Sequence, residues 1–582
     1  MKDGLKMQLT GIGVRSQRAI FILTMVMMST IGVQARAQDR LKLGQEAGTE
    51  TEVAEIAEPA LIVSVASLNK LMQDINYISA IVGQPQAGGM FSMMATGFAQ
   101  GLDPNRPIGV IVPVVDGAFE PIGMIPTSDI FAMLKRLEGQ VGPIEKLDDG
   151  TMVVSPNGGS LVYIRQSGDW ALVARQQELL DEVPEDPASL LEDLGDNYTL
   201  SAVLNVQEIP EAMRDGLIAQ LRQGFEQAMA KQNQGEDAAA MGENSIEQLE
   251  QLIRESEELM IGWNINPEEK MVTVDSEFIA ADGTEMAEMY GGQKIIPSMF
   301  ASVINDENAM FYHSAASINA KSIERTRETI DGLKAMVKKG IDDSNDLDAN
   351  AKEQVSELAN AFIDLLMKTI EEGKFDIGSM AVVDDEQFNF SSGLTVSDGN
   401  EAAKLVKDLA DKLKTVPEAP SFSFDEETYK GVTLHSVTFE IPSSEEEARE
   451  VFGEQAIIKI GTAPKAVYLA MGTDSEESIK KIIDGPAETT VPDDRPLGQM
   501  QVQLLPFLLF AQTVKANDVV AAMIDTLSQD GETDYLLIEA KPVENGQSSY
   551  LEIGEGILKA IGAGVREGQM QQMKQQQGDG QF

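Results

Sequence analysis

Residues 60–71 read ALIVSVASLNKL, and residues 310–321 read MFYHSAASINAK. Each opens on an apolar, alternating run that reads as a strand and continues into a helical start. Ala66-Ser67-Leu68-Asn69 lines up with Ala316-Ser317-Ile318-Asn319, 250 residues on. Further matches follow in the same order. Residues 107–111 (PIGVI) face 376–380 (DIGSM), 269 residues on; Phe119 faces Phe388, and Ser128-Asp129 faces Ser397-Asp398, at that same spacing. Residues 149–153 (DGTMV) resemble 430–434 (KGVTL). Residues 161–164 and 170–174 match 457–460 and 466–470, and Leu259-Met260-Ile261 matches Leu536-Leu537-Ile538. Each match is short, and their shared order carries the reading. A repeat of this length is too long for a solenoid and indicates two related modules.

Within the first module, residues 108–115 and 119–126 flank Asp116-Gly117, a two-residue hairpin signal. A helix over 128–138 starts at a Ser/Asp cap. Short strands are expected near 151–154, 160–166, 169–174 and 198–206. Two helices follow, with a polar loop at 232–244 between them and the capping box Ser245-x-x-Gln248 before the second. Strands at 259–265 and 271–280 close the module. Hairpin-linked strands interrupted by helices, without a regular βαβ beat, predict an α+β fold. Two tandem modules are expected, each a mainly antiparallel sheet with helices packed on one face. The expected divisions are a signal peptide at 1–37, an acidic linker at 38–57, modules at 58–297 and 298–567, and a disordered Gln/Gly-rich tail at 568–582.

The signal peptide is read from Lys2, Lys6, Arg15 and Arg18, an apolar run over 19–33, and the small-x-small site Ala35-Arg36-Ala37. It predicts a secreted or periplasmic protein with no integral span after cleavage. The run at 504–511 (LLPFLLFA) is too short for a span and reads as a buried segment. The 582 residues carry 45 basic and 94 acidic side chains, net −49. So acidic a surface repels phosphate backbones, and nucleic acid is not expected as a partner. There is no cysteine, which excludes disulfides, thiolate metal sites and cysteine nucleophiles.

Candidate chemistry is sparse. In residues 342–353 (DDSNDLDANAKE), oxygen side chains at Asp342, Ser344, Asp346, Asp348, Asn350 and Glu353 follow the ligand spacing of a helix–loop–helix calcium site. Leu347 stands where the sharp turn wants glycine, so a plain helix-hairpin loop is the expectation and calcium the alternative. Ser67-x-x-Lys70 and Ser478-x-x-Lys481 match a serine–lysine motif whose companion elements are missing. Gly554-x-Gly556 follows a strand, yet Lys559 occupies the third glycine position of a dinucleotide loop. His313 and His435 read as polar strand residues. Met90, Met93 and Met94 suit either core filling or an adaptable apolar groove. The sequence assigns no catalytic, cofactor or metal residue.

The plan resembles large secreted planctomycete-type proteins of unknown function with a duplicated α+β domain. The resemblance rests on residues 60–71, on 101–113 (GLDPNRPIGVIVP) and on the doubled module. It implies an extracytoplasmic location and supplies no catalytic residues. The expected function is a non-enzymatic binding or structural module of the cell envelope, with an unknown envelope or extracellular partner. Two alternatives stand beside it: a carrier of an apolar ligand in a Met-rich groove, and a secreted hydrolase acting through carboxylates.

Overall fold

A computed structural model describes residues 58–156, 159–181, 183, 188–232, 236–342, 349–413, 420–530 and 533–578. The expected signal peptide and linker lie outside the described residues. The chain forms two compact units. The first comprises the described residues up to Gly291 together with Val543–Arg566; the second comprises Gly292–Pro542 and Glu567 onward.

The first unit contains strands β1 (Leu61–Val65), β2 (Ile108–Val112), β3 (Val114–Val115), β4 (Ala118–Phe119), β5 (Ile122–Pro126), β6 (Glu145–Lys146), β7 (Met152–Val154), β8 (Val162–Ser167), β9 (Trp170–Ala174), β10 (Leu200–Asn205), β11 (Ser256–Asn266) and β12 (Met271–Ala280). The second contains β13 (Lys294–Ile295), β14 (Met310–Ser317), β15 (Lys374–Val383), β16 (Phe388–Thr395), β17 (Ser421–Tyr429), β18 (Val432–Glu440), β19 (Gln455–Ala463), β20 (Ala466–Gly472), β21 (Gly498–Gln503) and β22 (Tyr535–Val543). The last strand, β23 (Gly546–Gly554), returns to the first unit and pairs with β12 from Met271↔Gly554 to Ile279↔Gly546. A division at 297/298 therefore leaves out a strand that the first sheet needs, because β12 would otherwise present an unpaired edge.

Both units are antiparallel α+β. In the first the strand order is β6-β7-β8-β9-β5-β2-β1-β10-β11-β12-β23. In the second it is β17-β18-β19-β20-β16-β15-β14-β21-β22. The orders correspond strand for strand from β7/β18 to β11/β22, and so does the register. Gly109↔Met124 becomes Gly378↔Gly393, both 269 residues on. Ile125↔Ala171 becomes Leu394↔Val467, and Ile164↔Val173 becomes Ile460↔Leu469. Ala202↔Ile261 becomes Met500↔Ile538. The spacings these ladders require at β5, β8, β9 and β11 are those of the sequence matches.

Two matches shift. Val63↔Val110 becomes Tyr312↔Ser379, so β1 and β14 are 249 residues apart, not 250. A one-residue slip in a strand exchanges its faces. Ser64, not Val63, is therefore the counterpart of His313, and both point inward beside buried Ile62 and Phe311. The letters that gave 250 belong to the helix starts, which differ: Ser67 caps its helix by accepting from Lys70 N, whereas Asn319 caps by accepting from Ser322 N. Met152↔Ile164 becomes His435↔Ile460, a two-residue shift from the 149–153 match. The preceding turn in the second unit is tight, with Lys430 and Gly431 both at positive φ, and in the first it is wider.

Helices lie on both faces of the first sheet at its β5-β9-β8 end. Met124 and Leu172 pack with Leu191 and Leu194 of the helix Ala188–Asn197. Their neighbours Ile125, Ala171 and Val173 point the other way, onto Ile130 and Leu134 of the helix Ile130–Val141. Strands apolar on both faces need cover on both. Three local expectations change. The 232–244 loop is mostly helix Glu236–Glu255, since its alanines are the strongest helix formers. Residues 568–578 of the tail continue the helix Glu555–Gly578, because their Gln, Met and Lys residues favour helix whatever their low complexity, and the rest of the tail lies outside the described residues. The 504–511 run is the helix Leu504–Val514 with no fully buried residue. It packs through Phe507 and Phe510 onto Phe388 and Phe390. Among the described residues no helix is long and apolar enough to cross a membrane.

Candidate functional site

The first unit's sheet has one face closed and one partly open. On the closed face Ile62, Ile111 and Val203 are buried with Leu191. The opposite face carries cross-strand rows. One runs Val110–Val63–Ala202–Ile261, and the next runs Ile108–Val65–Leu200–Trp263–Val274–Leu551. Six strands at the usual spacing make the second row ~24 Å long. Val110, Leu200, Trp263 and Ile261 are 37%, 41%, 44% and 53% exposed. Isolated exposed apolar residues are ordinary, but a contiguous set on one sheet face is not. At the first row's positions the second unit has Ser379, Tyr312, Met500 and Ile538, none of them exposed.

In the same unit, the helix Pro85–Phe98 exposes its methionines. Gly88 and Ser92 face the helix Leu68–Ile81: Asn76 Nδ2 donates to Ser92 Oγ (2.7 Å), and a Cβ at Gly88 would fall 2.7 Å from Asn76 Oδ1. Met90, Met93 and Met94 are left in solvent, so the core-filling expectation does not hold for them.

The second unit contains a buried polar cluster. Ser298 Oγ donates to Asp376 Oδ1 (2.6 Å) and accepts from Phe300 N (2.8 Å), with His313 Nε2 at 2.9 Å. Asp376 also accepts from Met299 N (2.8 Å), and Glu488 accepts from Ser298 N (2.9 Å). Arg495 pairs with Glu488 and donates to the Ile296 carbonyl. With the serine proton on Asp376, His313 donates from Nε2; its Nδ1 and the Nε of Arg495 have no partner. Burial, then the Arg495 charge, hold the imidazole down to about 3. Burial pushes the Asp376 carboxyl up, against the hydrogen bonds from Met299 and Ser298. Histidine, serine and aspartate thus meet, yet not as a catalytic triad. The hydroxyl proton is committed to the carboxylate rather than to imidazole, and Ser298 is buried. At the positions of His313 and Asp376 the first unit has Ser64 and Pro107.

The other leads resolve as structure. Ser67 Oγ accepts the Lys70 amide, while Lys70 Nζ donates to both oxygens of Asp74 and to the Ile265 carbonyl, so serine and lysine do not act on each other. Ser478 Oγ donates to the Asp474 carbonyl. At Gly554-x-Gly556 the Glu555 carboxylate is buried and is held by Tyr77 and by Lys559, the residue at the third glycine position. His435 Nδ1 accepts from Asp425 N (3.1 Å) and Nε2 lies 3.1 Å from Thr462 Oγ1; burial lowers its pKa. Of the calcium candidates, Ser344, Asp346 and Asp348 lie outside the described residues, and Asp342 pairs with Lys338 (2.9 Å). Among the described residues no three His, Asp or Glu side chains are placed to hold a metal ion.

One carboxylate titrates near neutrality. Burial raises Asp275 to about 6, against its hydrogen bond with Tyr198. Gly262, its cross-strand partner, makes room for the Tyr198 ring, since a Cβ there would lie 2.4 Å from the ring.

Comparison with protein-family models, with curated proteins and with solved structures gives no match for this chain.

Proposed function

We propose that this is a non-enzymatic, extracytoplasmic binding protein of the cell envelope, and that its first unit carries an apolar ligand on the open sheet face. The observation behind this is the adjoining set Leu200, Ile261 and Trp263, joined to Val110 across half-buried Val63, Val65 and Ala202, solvent-exposed on a face whose reverse side is a packed core. The basic-then-apolar N-terminal segment supports the extracytoplasmic setting. Descent of the two units from one ancestor is part of the proposal; the common strand order and register support it. A shared scaffold with one face left open in a single copy fits a binding role better than a catalytic one. In the second unit's buried cluster, Ser298 and Asp376 are meanwhile committed to each other and to backbone amides, and Ser298 is closed off from solvent.

The chain has two tryptophans, Trp170 in the core and Trp263 on the open face. Titration with a long-chain fatty acid should blue-shift and strengthen the emission of Trp263. The Trp263→Phe variant should lose that response, and Ile261→Asp should weaken binding at least tenfold. An unchanged spectrum, with no binding by calorimetry, would remove the reading. The hydrolase alternative rests on Asp275, whose raised pKa suits an acid–base group. Release of product from a panel of chromogenic glycosides and esters, abolished by Asp275→Asn, would favour it.

A further inference from the structure

The helix Pro85–Phe98 (PQAGGMFSMMATGF) contains no Leu, Ile or Val and no charged residue. Its larger apolar side chains are methionine and phenylalanine alone. Met90, Met93 and Met94 stand at i, i+3 and i+4, and are 62%, 72% and 58% exposed. Methionine belongs to the residues most often buried, so three together in solvent on one helix turn ask for a reason. Apolar contact would be served as well by leucine, which the helix lacks.

Side chains on a helix lean toward its N-terminus, so Met93 and Met94 incline over Met90 from the following turn. Residues three and four apart have Cβ atoms roughly 5–6 Å from each other. Flexible thioether arms starting that close can converge on one ion. Gly89 and Gly97, on the same helix, have open space where a Cβ would project, so approach is unobstructed.

The donor chemistry selects the ion. Thioethers are soft ligands and favour monovalent copper, whereas calcium, magnesium and manganese want oxygen. The helix offers no carboxylate or imidazole to a harder cation. The chain has no cysteine, so no thiolate elsewhere in it competes. Its net charge of −49 raises the local concentration of cations. We propose that Met90, Met93 and Met94 form a three-thioether site for Cu(I). The proposal does not rest on ligand binding at the sheet face.

The test titrates the full chain with Cu(I), held reduced by ascorbate under anaerobic conditions, against the chromophoric chelator bathocuproine disulfonate. Ag(I) serves as a redox-inert second probe. The expected result is one ion bound per chain, with affinity at least tenfold lower in M90L/M93L/M94L. Leucine keeps the helix propensity and apolar bulk, so the circular dichroism of that variant should be unchanged. The control M570L/M573L, altering two exposed methionines of the C-terminal helix, should bind like the parent. No Cu(I) uptake by the parent, or equal uptake by the triple variant, overturns the assignment.

Discussion

Replacing His313 with glutamine separates the one titrating imidazole of the buried cluster from everything else in the chain that responds to acid. In the folded state burial and the Arg495 charge hold His313 near 3; unfolded, it returns to about 6.5. The folded pKa is depressed, so below 6.5 the unfolded chain binds a proton that the folded chain does not. Stability is then fully present above pH 6.5 and declines by about 1.4 kcal/mol per unit as pH falls toward 3. The loss is about 2 kcal/mol by pH 5 and roughly 5 kcal/mol in all. Asp376 acts in the opposite sense. Its folded pKa is raised, so it favours the folded state increasingly as pH falls toward 3.8. Glu488 and Arg495 face the same cluster. Asp376 is present in both proteins, so its contribution drops out of the difference, and the comparison is made from pH 6.5 to 5, where the His313 contribution changes. Glutamine can still donate to Ser298 but does not titrate, and His435 is common to both proteins and cancels in the difference. Hydrogen exchange over residues 310–317, followed by mass spectrometry, reports opening of this region in each protein. The stability advantage of the parent over His313→Gln should shrink by about 2 kcal/mol across the window. A difference that stays flat with pH would refute the assignment of a neutral, charge-disfavoured imidazole.

Gly378→Ala places a Cβ 2.5 Å from Phe300 Cβ and 3.0 Å from the Phe300 carbonyl oxygen, where the neighbour is backbone and cannot yield. It should cost about 1–3 kcal/mol, read as a lower denaturant midpoint for the second unit. Asp275→Asn should act with the opposite pH sign to His313→Gln. Asp275 is raised to about 6, so its ionisation penalises the folded state above that pH and the penalty fades toward 3.8. Solvent screening of this partly exposed group reduces the gain to the order of 1 kcal/mol at pH 8. Thermal scans at pH 8 and pH 4 should show the variant's advantage only at pH 8.

How much of this was legible in the sequence depends on how local each cause is. The hairpin at Asp116-Gly117 could be read because both residues sit at positive φ, which few residue types tolerate. The caps at Asp129 and Asp398 could be read because a side chain two or three residues from its amide partner leaves a local mark. The strand pairings repeated between units were legible at β2, β5, β8, β9 and β11, where apolar alternation survived. They slipped by one at β1, where the matching letters lay past the strand. The open face was not legible. Val63, Val65, Val110 and Ile261 read like any buried strand residues, and sequence does not say which side of a doubly apolar strand is covered. Nor was the buried cluster, which joins Ser298, His313, Asp376, Glu488 and Arg495 across loops and strands far apart in the chain. His313 carried a faint signal, as the one ionisable imidazole in the uncharged strand MFYHSAAS, but nothing in its neighbourhood names its partners.

The two units serve as controls for each other. A feature that both units share, such as the glycine at 109 and 378 under a large side chain, is explained by the strand order they have in common. A feature present in one alone is not. The first sheet is built in the same register without an imidazole at position 64 or a carboxylate at position 107, so the His313–Asp376 pair is not required to hold that register. The second sheet, conversely, shields the positions that the first leaves open at Val110 and Ile261. Exposed apolar surface weakens solubility and buried polar groups cost desolvation. Each unit therefore carries, on opposite faces of a sheet with the same strand order, a different departure from the least costly way to build it. Those departures are where selection for something other than folding is to be sought: the open face in the first unit, the buried cluster in the second.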